Sequence, residues 1–527
     1  MGQAELLIAG LLVAVAGLSA LARRLSVPYP IMLVIGGALF GLVPGMPEIK
    51  LDPEVVLVIF LPPLLYAAAF FANFGDIRRN LRSVTLSSVP LVLATICAVA
   101  VVAHELIHGL PWAGAFALGA IVSPTDPLAA TAIMRRVGMP RRLVSLVEAE
   151  GLFNDATALV AYRIAVAAAV GGSFSIADAG LKFITGAAGG IAIGLAVGWI
   201  IAYVRARVED VQISITISLL SGYAAFIPAD ALGVSGVLAA VTTGIYMGIR
   251  GPSIIPPRTR LQGFFVWDIL DFIINATLFV LIGLQLRTIV DGLTQRSAGE
   301  LAGYGLAVSA VVIAVRFAWL FSMPYLIRAL DRRPSQRARR VGPRERLVVG
   351  WSGMRGAVSL AAALALPLKT DAGAPLPERD LILFITFTVI LSTLVLQGLS
   401  LPAVIRRLRV TDDGSADQEE LRARLVATKA ALARLDALAE EAWTRDETIE
   451  RMRAMYEYRM RRFAARAGKI EDDGYEDRSL AYQQMIVSVL AAEREALVRL
   501  RNEGEISNEV MNRVVRDFDL EESRLEI

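Results

Sequence analysis

Residues 121–127 read I-V-S-P-T-D-P, and the fold of the chain turns on how a helix could accommodate them. On both sides the sequence is apolar, and the stretch 111–134 is long enough for a membrane span, which needs about 20 residues. Pro124 and Pro127 each remove a main-chain donor and crowd the preceding turn, so segment 123–127 is expected to unwind. Unwinding frees amides and carbonyls at mid-bilayer, which is tolerated only where the break is buried in protein or lines a cavity. Ser123, Thr125 and Asp126 place oxygen groups at that break.

The rest of the chain supports a membrane setting. It has 527 residues, 55% hydrophobic and 20% charged, with mean hydropathy +0.56; soluble domains carry about 25% charged residues. Charge is unevenly placed, net +11 over the first 410 residues and −8 over the remaining 117. A single globular enzyme and a disordered chain are both excluded. Thirteen apolar windows are expected as spans, at 4–22, 29–45, 54–72, 83–105, 111–134, 142–170, 180–204, 211–228, 233–249, 262–286, 300–330, 346–368 and 380–405. The opening M-G-Q-A-E-L-L-I-A-G has no basic n-region and reads as a first span. Loops after the odd-numbered spans hold 25 bases, against six in the alternate loops. Basic loops stay in the cytoplasm, so the N-terminus is expected outside and the C-terminus inside. Arginine far outnumbers lysine, and Ala and Gly are abundant, a usage that suggests a bacterial source and so its plasma (inner) membrane.

Few ionisable residues fall within the spans: Asp126, Glu148, Glu150, Asp155, Arg163, Arg316 and Arg355, with Asp268 and Asp271 near one end of span 10. Such groups are costly at membrane depth and face a bundle interior or a water-filled path. Span 6 reads E-A-E-G-L-F-N-D over 148–155. Glu150 and Asn154 share a helix face, whereas Asp155 lies roughly 140° around from Glu150. One carboxylate is therefore free to face an ion path while the other meets a base. Gly151 lets a neighbouring helix come close.

Span 12 reads W-S-G-M-R-G-A-V-S-L from Trp351, with Gly353 and Gly356 flanking Arg355, and is the second expected interruption. Spans 5 and 12 occupy the same place in repeats covering spans 1–6 and 8–13, copies that an odd linking span would invert. Paired broken helices in inverted repeats point to a transporter site at the midplane. The expected architecture is an all-α polytopic membrane protein with two broken helices crossing there.

S-P-T-D-P, E-G-L-F-N-D and G-M-R-G-A-V-S-L resemble signature segments of the NhaP/NHE-type sodium/proton antiporters, the cation:proton antiporters with an Asn-Asp pair. L-P-P-L-L-Y at 61–66 and R-F-A-W-L from Arg316 add to the resemblance, which covers about residues 1–410. It implies a core and a dimerisation subdomain, an elevator-like movement and a homodimer. Asp155 would bind sodium and proton in turn, beside Asn154, with Asp126 and Thr125 lining the Na⁺ site. Glu150 and Arg316 would form a structural ion pair, and Arg355 would support the break in span 12, as Pro124 and Pro127 shape that in span 5. Where some relatives have an acid in span 3, Tyr66 and Ala67 stand here; where some have a serine after the span-6 glutamate, Gly151 stands. Each change removes an oxygen ligand.

Carboxylate, hydroxyl, main-chain and water oxygens suit a hard monovalent cation, and the absence of His and Cys from these segments disfavours a soft metal. A carboxylate that holds either a proton or a cation couples the two gradients without a cofactor. Electroneutral exchange is expected if Asp126 keeps its protonation state. A K⁺/H⁺ antiporter and a cation channel are the alternatives. Lipid and a second copy are the expected partners; no nucleic-acid motif occurs. Residues 411–420 form an acidic linker, and helical spacing follows over 417–442, 446–467, 475–502 and 506–525, a charged cytoplasmic tail spanning 411–527. Regulation or dimer stabilisation is its expected role.

Overall fold

A computed structural model describes residues 3–25, 27–41, 43, 53–171, 176–291, 293, 296–330, 341–412 and 414–525. Lys50, residues 44 and 45 of the second window, and the arginines at 332, 333, 337, 339 and 340 lie outside them. Helix is the regular structure of the described residues, which show besides it one isolated β-bridge, between Lys369 and Pro375.

The chain separates into two compact units, Met1–Asp412 and Asp413–Ile527. The first contains α1 (Gln3–Leu25), α2 (Tyr29–Gly41), α3 (Pro53–Phe71), α4 (Phe74–Leu106), α5 (Trp112–Val122), α6 (Pro127–Arg136), α7 (Arg141–Gly171) and α8 (Ile176–Arg205). It continues with α9 (Val211–Ala231), α10 (Gly236–Ile254), α11 (Pro257–Asp291), α12 (Ala298–Leu330), α13 (Pro343–Trp351), α14 (Ala357–Leu364), α15 (Arg379–Ser392) and α16 (Leu399–Leu408). Among the described residues, eight segments are long and apolar enough to cross a membrane, and Tyr29–Gly41 and Val58–Phe71 are shorter apolar helices.

Several helices outrun the hydropathy windows. α4 begins at Phe74 and α11 runs from Pro257 to Asp291, because hydropathy marks the apolar slab whereas helical hydrogen bonding continues past it. A π-helical turn at Thr393–Gly398 joins α15 to α16, a break with no proline or glycine signal before it.

Without a hydrophobic drive between lipid-facing helices, close packing depends on small residues. α2 and α11 meet where Gly37 and Gly283 leave no room for a side chain: a Cβ on Gly37 would strike the Val280 carbonyl, and one on Gly283 the backbone of Val34 and Ala38. The core takes in α4, α5 and α15, where Val99, Ala103, Leu118, Ile121, Ile385 and Val389 are fully enclosed.

The second unit holds α17 (Ser415–Leu438), α18 (Asp446–Arg466), α19 (Tyr475–Asn502) and α20 (Asn508–Glu522). Leu425 and Leu435 of α17 are buried with Ile449 and Phe463 of α18, the inward stripe of amphipathic helices. Arg462 grips Glu476 with two hydrogen bonds of 3.0 Å each.

Candidate functional site

Two interruptions face each other. The first separates α5, ending at Val122, from α6, beginning at Pro127; the second separates α13, ending at Trp351, from α14, beginning at Ala357. The Asp126 amide donates to the Met354 carbonyl at 2.8 Å, and Arg355 Nε donates to the Val122 carbonyl at 2.8 Å.

Each break exposes the carbonyl end of one half-helix and the amide end of the next, carrying about half a negative and half a positive charge. Arginines serve the carbonyl ends. Arg355 bonds Val122 O and, through Nη1, Gly353 O. Arg316 donates from Nε to Gly350 O at 3.2 Å and from Nη2 to Val349 O at 3.0 Å, closing α13. Its remaining nitrogen, Nη1, meets Glu150 Oε1 at 2.5 Å, with both side chains nearly inaccessible at 2% and 5% exposure. A buried arginine that holds three acceptors at once, one of them a carboxylate, is neutralised and satisfied.

A carboxylate serves the amide ends. Asp126 Oδ1 caps α6 by accepting from the Leu128 amide at 2.8 Å, and Pro127 at the first helical position needs no partner. Gly356, immediately before α14, lies so close to Asp126 that a Cβ there would overlap its carboxyl group. One acid thus stands at the positive ends of both α6 and α14.

On α7, Asn154 is buried and its Nδ2 donates to Thr125 Oγ1 at 3.0 Å, which ties the helix to the first break. Gly151, one turn earlier, packs on the Pro127 ring, where a Cβ would come within 2.8 Å of Cδ. Asp155 opens on a cavity of about 330 Å³ that Asp126 also lines. Asp126 Oδ2 and Asn154 Oδ1 are buried without a hydrogen-bond partner among the described residues.

The residues singled out from the sequence therefore separate by position. Asp155, Asp126, Pro124 and Pro127 border the cavity. Thr125 and Asn154 are bonded to each other beside it, and Ser123 Oγ turns back to Ala120 O at 3.1 Å. Glu150, Arg316 and Arg355 hold the helix ends. Tyr66, in the span-3 position lacking an acid, is fully buried, while Ala67 lines the cavity.

Other groups reach the cavity that the motifs did not mark as ligands: Glu148, paired with Arg135 at 2.5 Å, then Asp268, Asp271 and Asn275 of α11, and Ser359 of α14. Asn275 bonds within its own helix, from Nδ2 to Asp271 O at 2.8 Å. The spacing of Asp268, Asp271 and Asn275 along one face of an apolar helix was a signal available in the sequence. Ser359 lies within the G-M-R-G-A-V-S-L segment, which by itself gave it no ligand role. Among the described residues, no three His, Cys, Asp or Glu side chains are grouped to hold a metal ion.

Opposed broken helices, arginines on their carbonyl ends and acids opening on a cavity define a polytopic secondary transporter. The transmembrane sodium/hydrogen exchanger model matches residues 10–407, and the chain belongs to that family of sodium/proton antiporters. A Mycobacterium tuberculosis protein described as an uncharacterised Na⁺/H⁺ exchanger is 37% identical over 529 residues, covering 98% of this chain and 97% of the relative. The sodium, potassium, lithium and rubidium/H⁺ antiporter of Bacillus subtilis is 30% identical, over 94% of this chain and 74% of the relative. Among solved structures, the sodium proton antiporter MjNhaP1 from Methanocaldococcus jannaschii shares the fold, with TM-score 0.60 and 19% identity over 77% of this chain and 99% of that one.

Proposed function

We propose that the chain exchanges monovalent cations for protons one for one, Na⁺ foremost, at Asp155. The observation that carries this reading is the shared cavity of Asp155 and Asp126, closed at its base by helix ends whose dipoles are already neutralised. A carboxylate there has two ways to lose its charge, by taking a proton or by taking a cation. The bare anion is the costly species to carry through a low-dielectric barrier, so the carrier moves only when one of the two is bound. Asp126 caps the amide end of α6 beside that of α14 and keeps one protonation state through the cycle; Glu150 stays paired with Arg316. Counting then leaves one titrating acid, and no net charge moves.

Thirteen spans in inverted repeats, a core and a dimerisation subdomain within residues 1–410, and a cytoplasmic tail over 411–527 complete the proposal. So do a homodimer in lipid, placement in a bacterial plasma membrane and an external N-terminus, with pH and sodium homeostasis as the physiological outcome. A K⁺-accepting variant of the same exchange is favoured by the cations for which the B. subtilis relative is named.

The test is reconstitution into vesicles loaded with a pH dye. Adding Na⁺, K⁺ or Li⁺ should move protons the opposite way, at a rate insensitive to an imposed voltage. A rate that follows the voltage would remove the electroneutral cycle.

A further inference from the structure

α11 lies outside the two broken helices and the α7 motif, yet it contributes three polar side chains to the cavity. Asp268, Asp271 and Asn275 stand at i, i+3 and i+7 and all line the same space as Asp126 and Asp155. Asp268 is exposed, Asp271 is partly buried and Asn275 is 1% exposed, so burial deepens along the face. α14 adds an independent observation. Ser359 lines the cavity, is 1% exposed, and its Oγ has no hydrogen-bond partner among the described residues. A hydroxyl buried without a partner is unfavourable, and a bound cation would relieve that cost.

The ligand count points the same way. Residues 66 and 67 supply no acid, and Gly151 supplies no hydroxyl. Thr125 and Asn154 are bonded to each other, Ser123 Oγ donates within its own helix, and none of the three lines the cavity. Asp155 and Asp126 alone leave a hard cation short of the several oxygens it takes from a protein site. Among the described residues, the only basic side chain lining the cavity is Arg135, which Glu148 already holds. Asp271 therefore adds a carboxylate that, among the described residues, no base lining the cavity pairs with.

We propose that Asp271 of α11 and Ser359 of α14 are cation ligands of the exchange site, supplying the oxygens that the third and sixth spans lack. This rests on the exchange reading above. The ligand is an alkali-metal cation, and Asp271 sets its affinity while Asp155 alone carries the coupled proton.

Full-length Asp271→Asn, Asp271→Glu, Ser359→Ala and Asp155→Asn variants, reconstituted in vesicles, test it by Na⁺ titration of proton movement. Losing a contact to a charged partner should raise the apparent KM for Na⁺ about tenfold in Asp271→Asn and by a smaller factor in Ser359→Ala. Maximal rate should be kept, and Asp271→Glu should restore much of the affinity. Stabilisation of each purified variant by added NaCl against matched choline chloride reads binding without transport, and its midpoint should shift by the same factor. An unchanged Na⁺ midpoint in both Asp271→Asn and Ser359→Ala, while Asp155→Asn is inactive, overturns the ligand assignment and leaves the exchange reading standing. Persisting exchange in Asp155→Asn overturns the exchange reading itself.

Discussion

At the scale of single residues, the site depends on how little room it has. Gly356 and Asp126 occupy adjoining space with none to spare, so even a methyl group at 356 forces the carboxylate away from the amide ends of α6 and α14. Gly356→Ala should insert normally yet lose at least about tenfold in exchange rate, since removing a charge-assisted cap costs over 1 kcal/mol; a dye assay beside a surface-expression control checks it. Wild-type rate in Gly356→Ala would mean that Asp126 is free to move. In the tail, Arg462 hydrogen bonds hold the Glu476 carboxyl below its ordinary value of 4.5. A depressed folded-state pKa adds stability above the unfolded value and loses it as pH falls through the folded one. Because Glu476 is about one-third exposed, screening limits the effect to about 1 kcal/mol. Acidification below about pH 4.5 should loosen the contact of α18 with α19 in wild type, but add nothing in Glu476→Gln, as hydrogen exchange across 446–502 would report.

At the scale of elements, Arg316 acts in two ways, closing α13 through Val349 and Gly350 and pairing with Glu150 on α7. Glu150→Gln should cost about 3 kcal/mol or more by leaving a buried guanidinium without its counter-charge. Adding Arg316→Met should recover only part of that loss, because the carbonyls of α13 then lack donors; thermal unfolding of the purified variants measures both steps. Full recovery in the double variant would reduce Arg316 to a simple counter-ion. Much of this layer was legible in the sequence. Pro124 and Pro127 mark the first break through steric exclusion alone, and Gly353 and Gly356 mark the second. The placement of Arg316 on the end of α13 was not legible, since it joins residues 33 and 34 positions apart through main-chain carbonyls that have no sequence signature. Nor was the π-helical turn at Thr393–Gly398, where no residue type forces the extra backbone atom.

At the scale of the whole molecule, composition and hydropathy already required a polytopic helical protein, because only helices and closed barrels satisfy their backbone in lipid. The motifs marked Asp155 and Asp126; Ser359 lay inside the G-M-R-G-A-V-S-L segment without a role assigned to it, and Asp271 lay outside every motif and reaches the cavity only through tertiary packing. The proposed exchange rests on competition at a single carboxylate. The most direct probe is the number of protons released when Na⁺ binds the purified protein in weakly buffered detergent solution. Competition requires about one proton released per Na⁺ bound by the wild type, and none on adding Na⁺ to Asp155→Asn. Saturable Na⁺ binding to the wild type with no accompanying proton release would contradict it.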